Sequence, residues 1–480
     1  MFKACLAALC AGIALRFVVG LEPVWWLAWI APALLLALAL RSDSSRARWL
    51  ALLASLIATS ANVVYFNTVM PLPAALLVTA GQALLWVVVV MTARRIVLRH
   101  QAWWTVFAYP VIWTSADTLM TAFLPDGNWG SIGYSQYEFL PALQLVSLLG
   151  VGGVTFVVSL FASALAMALA FGLRTPRTKG ACAAAALATI ATLAYGVQRL
   201  QTPADGAETV FGLVAIDDAI GLQATAAYSE SIWRQYEQHV AKLARQGATV
   251  IVLPEKVAVM TPAKALEAQQ RFAALAARFK VWIDIGVGID DKGKRTNLAW
   301  LLSPQGSLAQ AYQKHHMAPP EREYISGSDY KLQSIAGQPY GLAICKDMHF
   351  GALGRAYGER QASVMLVPAW DFHADRFLAN GMTTVRGVEN GYAVVRSSRE
   401  GLLTVSDPFG RVLAQQESAA MPGSAMLARI KVSARVPTLY TRIGDWPGWL
   451  CVGAVLAMLL SARQKRVTPP PPGGGPGVRR

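Results

Sequence analysis

Three ionisable residues stand where an apolar run breaks off. Glu255 follows "TVIVLP", Lys314 follows "LAQAYQ" and Cys345 follows "GLAI". Taken singly, each has an ordinary reading: a solvated carboxylate, a surface lysine, a small buried thiol. Taken together they make a covalent acyl-transfer site. A thiolate attacks a carbonyl carbon, a carboxylate takes the thiol proton, and an ammonium steadies the oxyanion that develops. The backbone N–H of Lys346, beside the nucleophile, is a second candidate oxyanion donor. Functional residues of α/β folds collect at the carboxyl ends of strands, and all three positions fit that rule.

The other cysteines sharpen the case for Cys345. Cys5, Cys10, Cys182 and Cys451 fall in long apolar segments, which leaves Cys345 alone in the block between them. A lone thiol in an outward-facing domain has no disulfide partner there and is a candidate reactive group.

The elements that must position these residues divide sharply by composition. The chain has 480 residues, 54% hydrophobic and 15% charged. Soluble domains carry roughly a quarter charged residues, so the balance points to a membrane protein. A span needs about 20 apolar residues. Seven candidates precede residue 200, at about 4–20, 23–40, 49–69, 73–93, 103–124, 147–172 and 180–198, and an eighth lies at about 446–462. Lys3, Arg41, Arg46, Arg48, Arg94, Arg95, Arg99, Arg174, Arg177, Lys179, Arg463, Lys465 and Arg466 fall on alternate connections. The positive-inside rule makes those connections cytoplasmic, so the block after the seventh span faces outward. The net charge of +15 comes largely from these dispersed loops, which excludes a nucleic-acid-binding surface. "GVGGV" near residue 150 reads as helix packing, not phosphate binding. Residues 463–480, ending "TPPPPGGGPGVRR", read as a disordered basic cytoplasmic tail.

Residues 207–440 change pattern to short apolar strands alternating with amphipathic helices. "TVFGLVAI", "ATVIVLP", "VWIDIGVGI", "TNLAWLLS", "YGLAICK", "ASVMLVPA", "YAVVRSS" and "LLTVSDPFG" read as strands. "SESIWRQYEQHVAKLARQ", "PAKALEAQQRFAALAARFK" and segments near 350–358 and 375–390 read as helices. Buried strands flanked by helices imply an α/β domain.

With these residues in place, the chain resembles the nitrilase superfamily, whose members carry a Glu-Lys-Cys triad on an α-β-β-α sandwich. Within it the chain is similar to the apolipoprotein N-acyltransferases. "PVWWLAWIAPALLLAL", "GNWGSIGYSQY" and "PALQLVSLLGVGGVTFVV" match the membrane part. "LPEKVA", "YQKHHMAPPEREY", "AICKDMHFG", "VPAWDFHAD", "VRGVENGYAVVRSS" and "SDPFGRV" follow in the family's order. The resemblance implies a polytopic α-helical membrane domain with a nitrilase-like sandwich, Glu255 as general base, Lys314 as oxyanion stabiliser and Cys345 as nucleophile. It implies Glu323 as a second glutamate, with Glu321 as its rival because the stretch is one residue longer than usual. Trp370 and Asp371 match a loop beside the pocket, and Arg386 and Glu389 hold the domain together. The implied reaction moves an acyl chain from a phospholipid through a Cys345 thioester to the N-terminal amine of a lipoprotein, in the inner membrane of a bacterium, with no cofactor.

Three departures lie close to the chemistry. Leu253 replaces the family's Trp, Lys346 and Asp347 replace its Tyr-Glu, and Ala318 to Tyr324 replaces its Val-Pro-Phe-Gly-Glu-Tyr. An exposed Lys346 would either tune Cys345 and an anionic headgroup or point to solvent. His315, His316 and His349 lack a supporting ligand set, so no metal is expected. Two other readings stand beside the leading one. An anchored acyltransferase or amidase could act on another amine or amide, or the fold could be a scaffold or transporter. The last is disfavoured because Asp117 is a lone acidic residue of the kind that pairs locally.

Overall fold

The computed structural model describes residues 2–128, 130–203 and 205–467, with side chains placed as far as Leu460. Its N-terminal part is helical. Five helical segments are long and apolar enough to cross a membrane: Phe2–Val19, Ser44–Val69, Leu72–His100, Val146–Phe171 and Pro176–Leu200. Leu27–Arg41 and Trp446–Leu460 are shorter apolar helices. Ala108–Phe123, entered through a 3₁₀ turn at Trp103–Phe107, occupies the remaining expected position. The last helix continues to Val467, into the segment read from sequence as a disordered tail. Residues 468–480 lie outside the described residues.

The membrane-side motifs meet each other. Trp29 Nε1 donates to Gln136 Oε1 at 2.9 Å, and Gln136 Nε2 donates to the Trp25 carbonyl at 2.9 Å. The second helix is thereby fixed to the 3₁₀ turn Ile132–Glu138. Asp117 does pair locally: Asn128 and Thr155 donate to its carboxylate at 2.5 and 3.1 Å, and Ser131 closes the group. Gly150 adopts φ +68, and a Cβ there would lie 2.6 Å from the Tyr440 ring. The glycine cluster is a packing site, as its sequence suggested.

The block between the membrane segments contains β1 (Ala207–Ala215), β2 (Val250–Val252), β3 (Val259–Met260), β4 (Trp282–Asp291), β5 (Lys294–Leu302) and β6 (Leu308–Gln313). Next come β7 (Leu332–Ile335), β8 (Gln338–Leu342), β9 (Val364–Trp370), β10 (Ala393–Arg399), β11 (Leu402–Ser406), β12 (Val412–Glu417) and β13 (Ser424–Val432). One sheet runs β13-β1-β2-β4-β5-β6, with β3 beside β4, and the other runs β12-β11-β10-β9-β8-β7. At the centre of each, three strands are parallel: β1, β2 and β4, and β8, β9 and β10.

Phe211, Leu213, Val252 and Leu301 of the first sheet pack against Leu342, Leu366, Val395 and Leu403 of the second. Helices Ala226–Arg245 and Pro262–Phe279 cover the outer face of the first sheet through Trp233, Tyr236 and Phe272. Helices Gly351–Glu359 and Arg376–Asn390 lie against the second. The block is therefore an α-β-β-α sandwich. It is bolted to the membrane domain: Arg386 donates to Tyr134 Oη at 2.8 Å, and the Val151 N–H donates to Glu389 at 3.2 Å. The expectation that Arg386 and Glu389 hold the structure together thus takes a specific form. They join the two domains.

Candidate active site

Glu255 leaves β2 through Leu253 and Pro254, and its N–H donates to the Ala369 carbonyl at 3.1 Å. That bond ties the end of β2 to β9 in the opposite sheet. The loop lies directly on Gly286, where a Cβ would come within 2.5 Å of the Glu255 Cα. Lys314 is the first residue after β6, and its N–H donates to the Asn297 carbonyl at 2.9 Å. Its ammonium donates to Glu255 Oε1 at 2.7 Å and to Glu321 Oε2 at 2.6 Å. Asn297 Nδ2 bridges the same two carboxylates at 2.6 and 2.9 Å, and Lys256 donates to Glu321 Oε1, the oxygen that Asn297 also bonds.

These groups are almost wholly buried. Burial works against charge on Lys314, but Glu255 and Glu321 outweigh it and hold the ammonium well above its usual pKa. Burial likewise opposes ionisation of Glu321, yet Lys314 and Lys256 pull it down to about 2.

Cys345 stands at the end of the second sheet, after β8. Its φ of 44° lies in the left-handed region, a conformation that costs a non-glycine residue about 1–3 kcal/mol and gathers at functional turns. The thiol donates to the Trp370 carbonyl at 3.3 Å. Burial, and then the Glu255 charge, push the thiol well above the ordinary range, with Lys314 opposing. The resting group is therefore a thiol that needs a base.

Asp347 organises this turn. Its carboxylate accepts from Ile344 N at 3.1 Å, His315 N at 3.1 Å, His316 N at 2.8 Å and Tyr312 Oη at 2.8 Å. One side chain thus joins the turn that carries Cys345 to the strand end that carries Lys314. Trp370 and Asp371 close the end of β9. Asp371 is held by Arg396 at 3.0 Å, and the Trp370 ring lies 3.9 Å from Arg399 and 4.7 Å from Lys256.

Two expectations are corrected. Glu323 points away from the pocket, with its side chain 63% exposed and paired to Arg295, while Glu321 fills the inner position. Glu321 ends the 3₁₀ turn Pro319–Glu321 and is buried there. Lys346 is not exposed: only 6% accessible, it donates to the Met317 carbonyl at 3.1 Å and pairs with Asp126 from the membrane domain. The histidines are dispersed, His316 against Asp347 and Phe350, and His315 on the Asp329 carbonyl. Among the described residues no cluster of three His, Cys, Asp or Glu is placed to hold a metal ion.

Glu255, Lys314 and Cys345 open onto one cavity. Its polar wall adds Glu321, Lys346 and Asp371. Its apolar wall comes from Tyr65, Phe66, Val69 and Met70 of the membrane domain. Asn297, Lys256, Arg396 and Asp126 belong to this site and were not foreseen. Arg396 left a signal, a charged residue directly after the apolar run "YAVV"; Asp126 left none.

Residues 219–429 match the family model described as Carbon-nitrogen hydrolase, which with the sandwich and its site defines the chain's class. Residues 11–164 match a second model, the Apolipoprotein N-acyltransferase N-terminal domain. The two matches follow one another along the chain, which is similar to apolipoprotein N-acyltransferases over most of its length. The apolipoprotein N-acyltransferase of Geobacter metallireducens is 26% identical, over 93% of this chain and 92% of its own. That of Bradyrhizobium diazoefficiens is 25% identical, over 73% and 72%. The amidase of Nesterenkonia sp. AN1, solved with butyramide, is 18% identical over 50% of this chain and 96% of its own, with a TM-score of 0.43.

Proposed function

We propose that this membrane protein transfers an acyl chain from a phospholipid to the N-terminal amine of a lipoprotein through a thioester on Cys345. The observation that carries the reading is the two-sided cavity. Reactive groups form one wall, and apolar side chains of the membrane domain form the other.

In the first half-reaction Glu255 takes the Cys345 proton as sulfur attacks the ester carbonyl. Lys314 faces the oxyanion. The carbon–oxygen bond to the glycerol then breaks, Glu255 returns the proton to the leaving alkoxide, and a lysophospholipid departs. In the second, the amine attacks the thioester carbonyl, Glu255 accepts its proton, and the carbon–sulfur bond breaks to give an amide. The released thiolate recovers the proton. Both substrates are lipids, so anchoring the domain confines their encounter to the membrane surface. The basic connections on the opposite side support a catalytic domain facing outward from a bacterial inner membrane.

The test uses purified protein in detergent with phospholipid carrying a labelled acyl chain, trapping of the acyl-thioester, and then diacylated lipopeptide. Wild type is expected to label and then discharge to the peptide, and Cys345→Ala to remain unlabelled. Label on Cys345→Ala equal to wild type would sink the nucleophile. A thioester that discharges to water or small amines but not to lipopeptide would favour amidase chemistry.

A further inference from the structure

Lys346 is a buried cation with an unusual partner. Its ammonium pairs with Asp126, which arrives from the loop after helix Ala108–Phe123 of the membrane domain. The same carboxylate takes Arg322 through both oxygens, at 2.6 and 2.7 Å. Lys346 and Asp126 both line the cavity that holds Cys345. A monoanion with its charge spread over two oxygens thus sits between two cations at the wall of the reactive pocket. Arginine and lysine recognise a phosphodiester in the same way.

The three partners are not equally free. Asp126 and Arg322 are 34% and 51% exposed at the side chain, whereas Lys346 is 8% exposed. Asp126 and Arg322 can turn to water; Lys346 cannot. If the Asp126 loop swings out, the Lys346 charge is stranded unless another anion replaces the carboxylate. The other acids of the cavity are engaged: Glu255 and Glu321 by Lys314, Asp371 by Arg396, and Asp375 by Tyr65. The replacement must come from outside.

Its height in the fold indicates what it is. Asp126 lies two residues beyond Leu124, and the exposed Phe123 meets Trp449 edge-on at 6.4 Å. Aromatic side chains of this kind mark the membrane–water boundary, the level of lipid headgroups.

We propose that Lys346 and Arg322 form the seat for the headgroup phosphodiester of the acyl donor, and that the Asp126 carboxylate holds this seat until the donor displaces it. The inference rests on the acyltransferase reading and adds to it the group that selects the donor. The seat fixes the headgroup by its charge and leaves the ester carbonyl to Cys345. The acceptor, which carries no phosphate, does not compete for it.

The experiment measures Cys345 acyl-thioester formation by the full chain in detergent micelles with two donors, phosphatidylglycerol and the phosphate-free ester p-nitrophenyl palmitate. Arg322→Ala is expected to lower the ratio of kcat/KM for the phospholipid to that for the ester by about tenfold, the worth of one charge-assisted hydrogen bond. Arg322→Lys should restore most of it. Asp126→Asn, which removes the competing charge, should lower KM for the phospholipid. A ratio unchanged in Arg322→Ala, or a raised phospholipid KM in Asp126→Asn, overturns the seat. Inorganic phosphate should compete only weakly; if it blocks as well as the lipid does, the site reads free phosphate and the headgroup assignment falls. Wild type that acylates from neither donor overturns the acyltransferase reading itself, a result distinct from failure of the seat.

Discussion

A thiol as deeply buried as Cys345 does not ionise unaided, so in the proposed mechanism its reactivity is borrowed from Glu255. Alkylation by iodoacetamide should be slow at neutral pH and keep rising into the alkaline range; a plateau below neutrality would mean a preformed thiolate. Glu255→Gln should slow thioester formation by about 10²–10⁴-fold, the usual contribution of a general base. Lys314→Met should cost about 10²–10³-fold, as loss of an oxyanion donor does. Burst measurements of thioester formation check both. That these three residues would meet in one cavity was legible because each interrupts an apolar run at a strand end. Lys256 was not, because its partner Glu321 is 65 residues away and only folding brings them together. The choice between Glu321 and Glu323 was also closed to sequence. It turns on which glutamate the fold buries against Lys314, and that is Glu321.

At the scale of elements, the β2 loop is seated by what Gly286 lacks. Gly286→Ala would place a methyl 2.5 Å from the Glu255 Cα and 2.6 Å from the Pro254 carbonyl, backbone that cannot turn aside. The expected outcome is a folded protein with thioester formation down by at least about a hundredfold, since a base displaced by an ångström loses that much. Circular dichroism with the acylation assay separates this from unfolding. Most elements around the site were readable: the parallel strands β1, β2, β4 and β9 have near-continuous apolar, buried cores. β3, β7, β12 and β13 were not named from sequence. β12 reads "VLAQQE" and is mostly exposed at the sheet edge, so no apolar period marks it. β7 is four residues of mixed burial. The strand ending at Leu342 is shorter than "YGLAICK" suggested, because Cys345 to His349 turn into a 3₁₀ helix capped by Asp347.

For the whole molecule, the join between the two domains is pH-sensitive. Burial pushes the Glu389 carboxyl up to about 8, with Arg386 opposing. The unfolded chain releases that proton near the ordinary glutamate value, so the folded chain holds a proton that the unfolded one lacks. The stability this contributes is complete below about pH 4.5 and is lost as pH rises through about 8. Wild type should therefore inactivate at a lower temperature at about pH 9 than at about pH 6, and Glu389→Gln, neutral throughout, should show a smaller drop. Equal drops would clear Glu389 of the effect. The five helices that are long and apolar enough to span a membrane, among the described residues, were legible because composition dictates them. The contact of Asp126 with Lys346 was not, since 220 residues separate them and nothing local links the two. A last consequence follows from the division of the reactive groups. Glu255 and Lys314 hang from one sheet and Cys345 from the other, so the sandwich works as a pair of jaws. The plane between them is held by side chains such as Leu366 and Val252, far from any substrate. Loosening that plane with Leu366→Ala should let the jaws slip, so that kcat falls further than the substrate KM rises. In this enzyme the alignment of the catalyst is a mechanical property of its core.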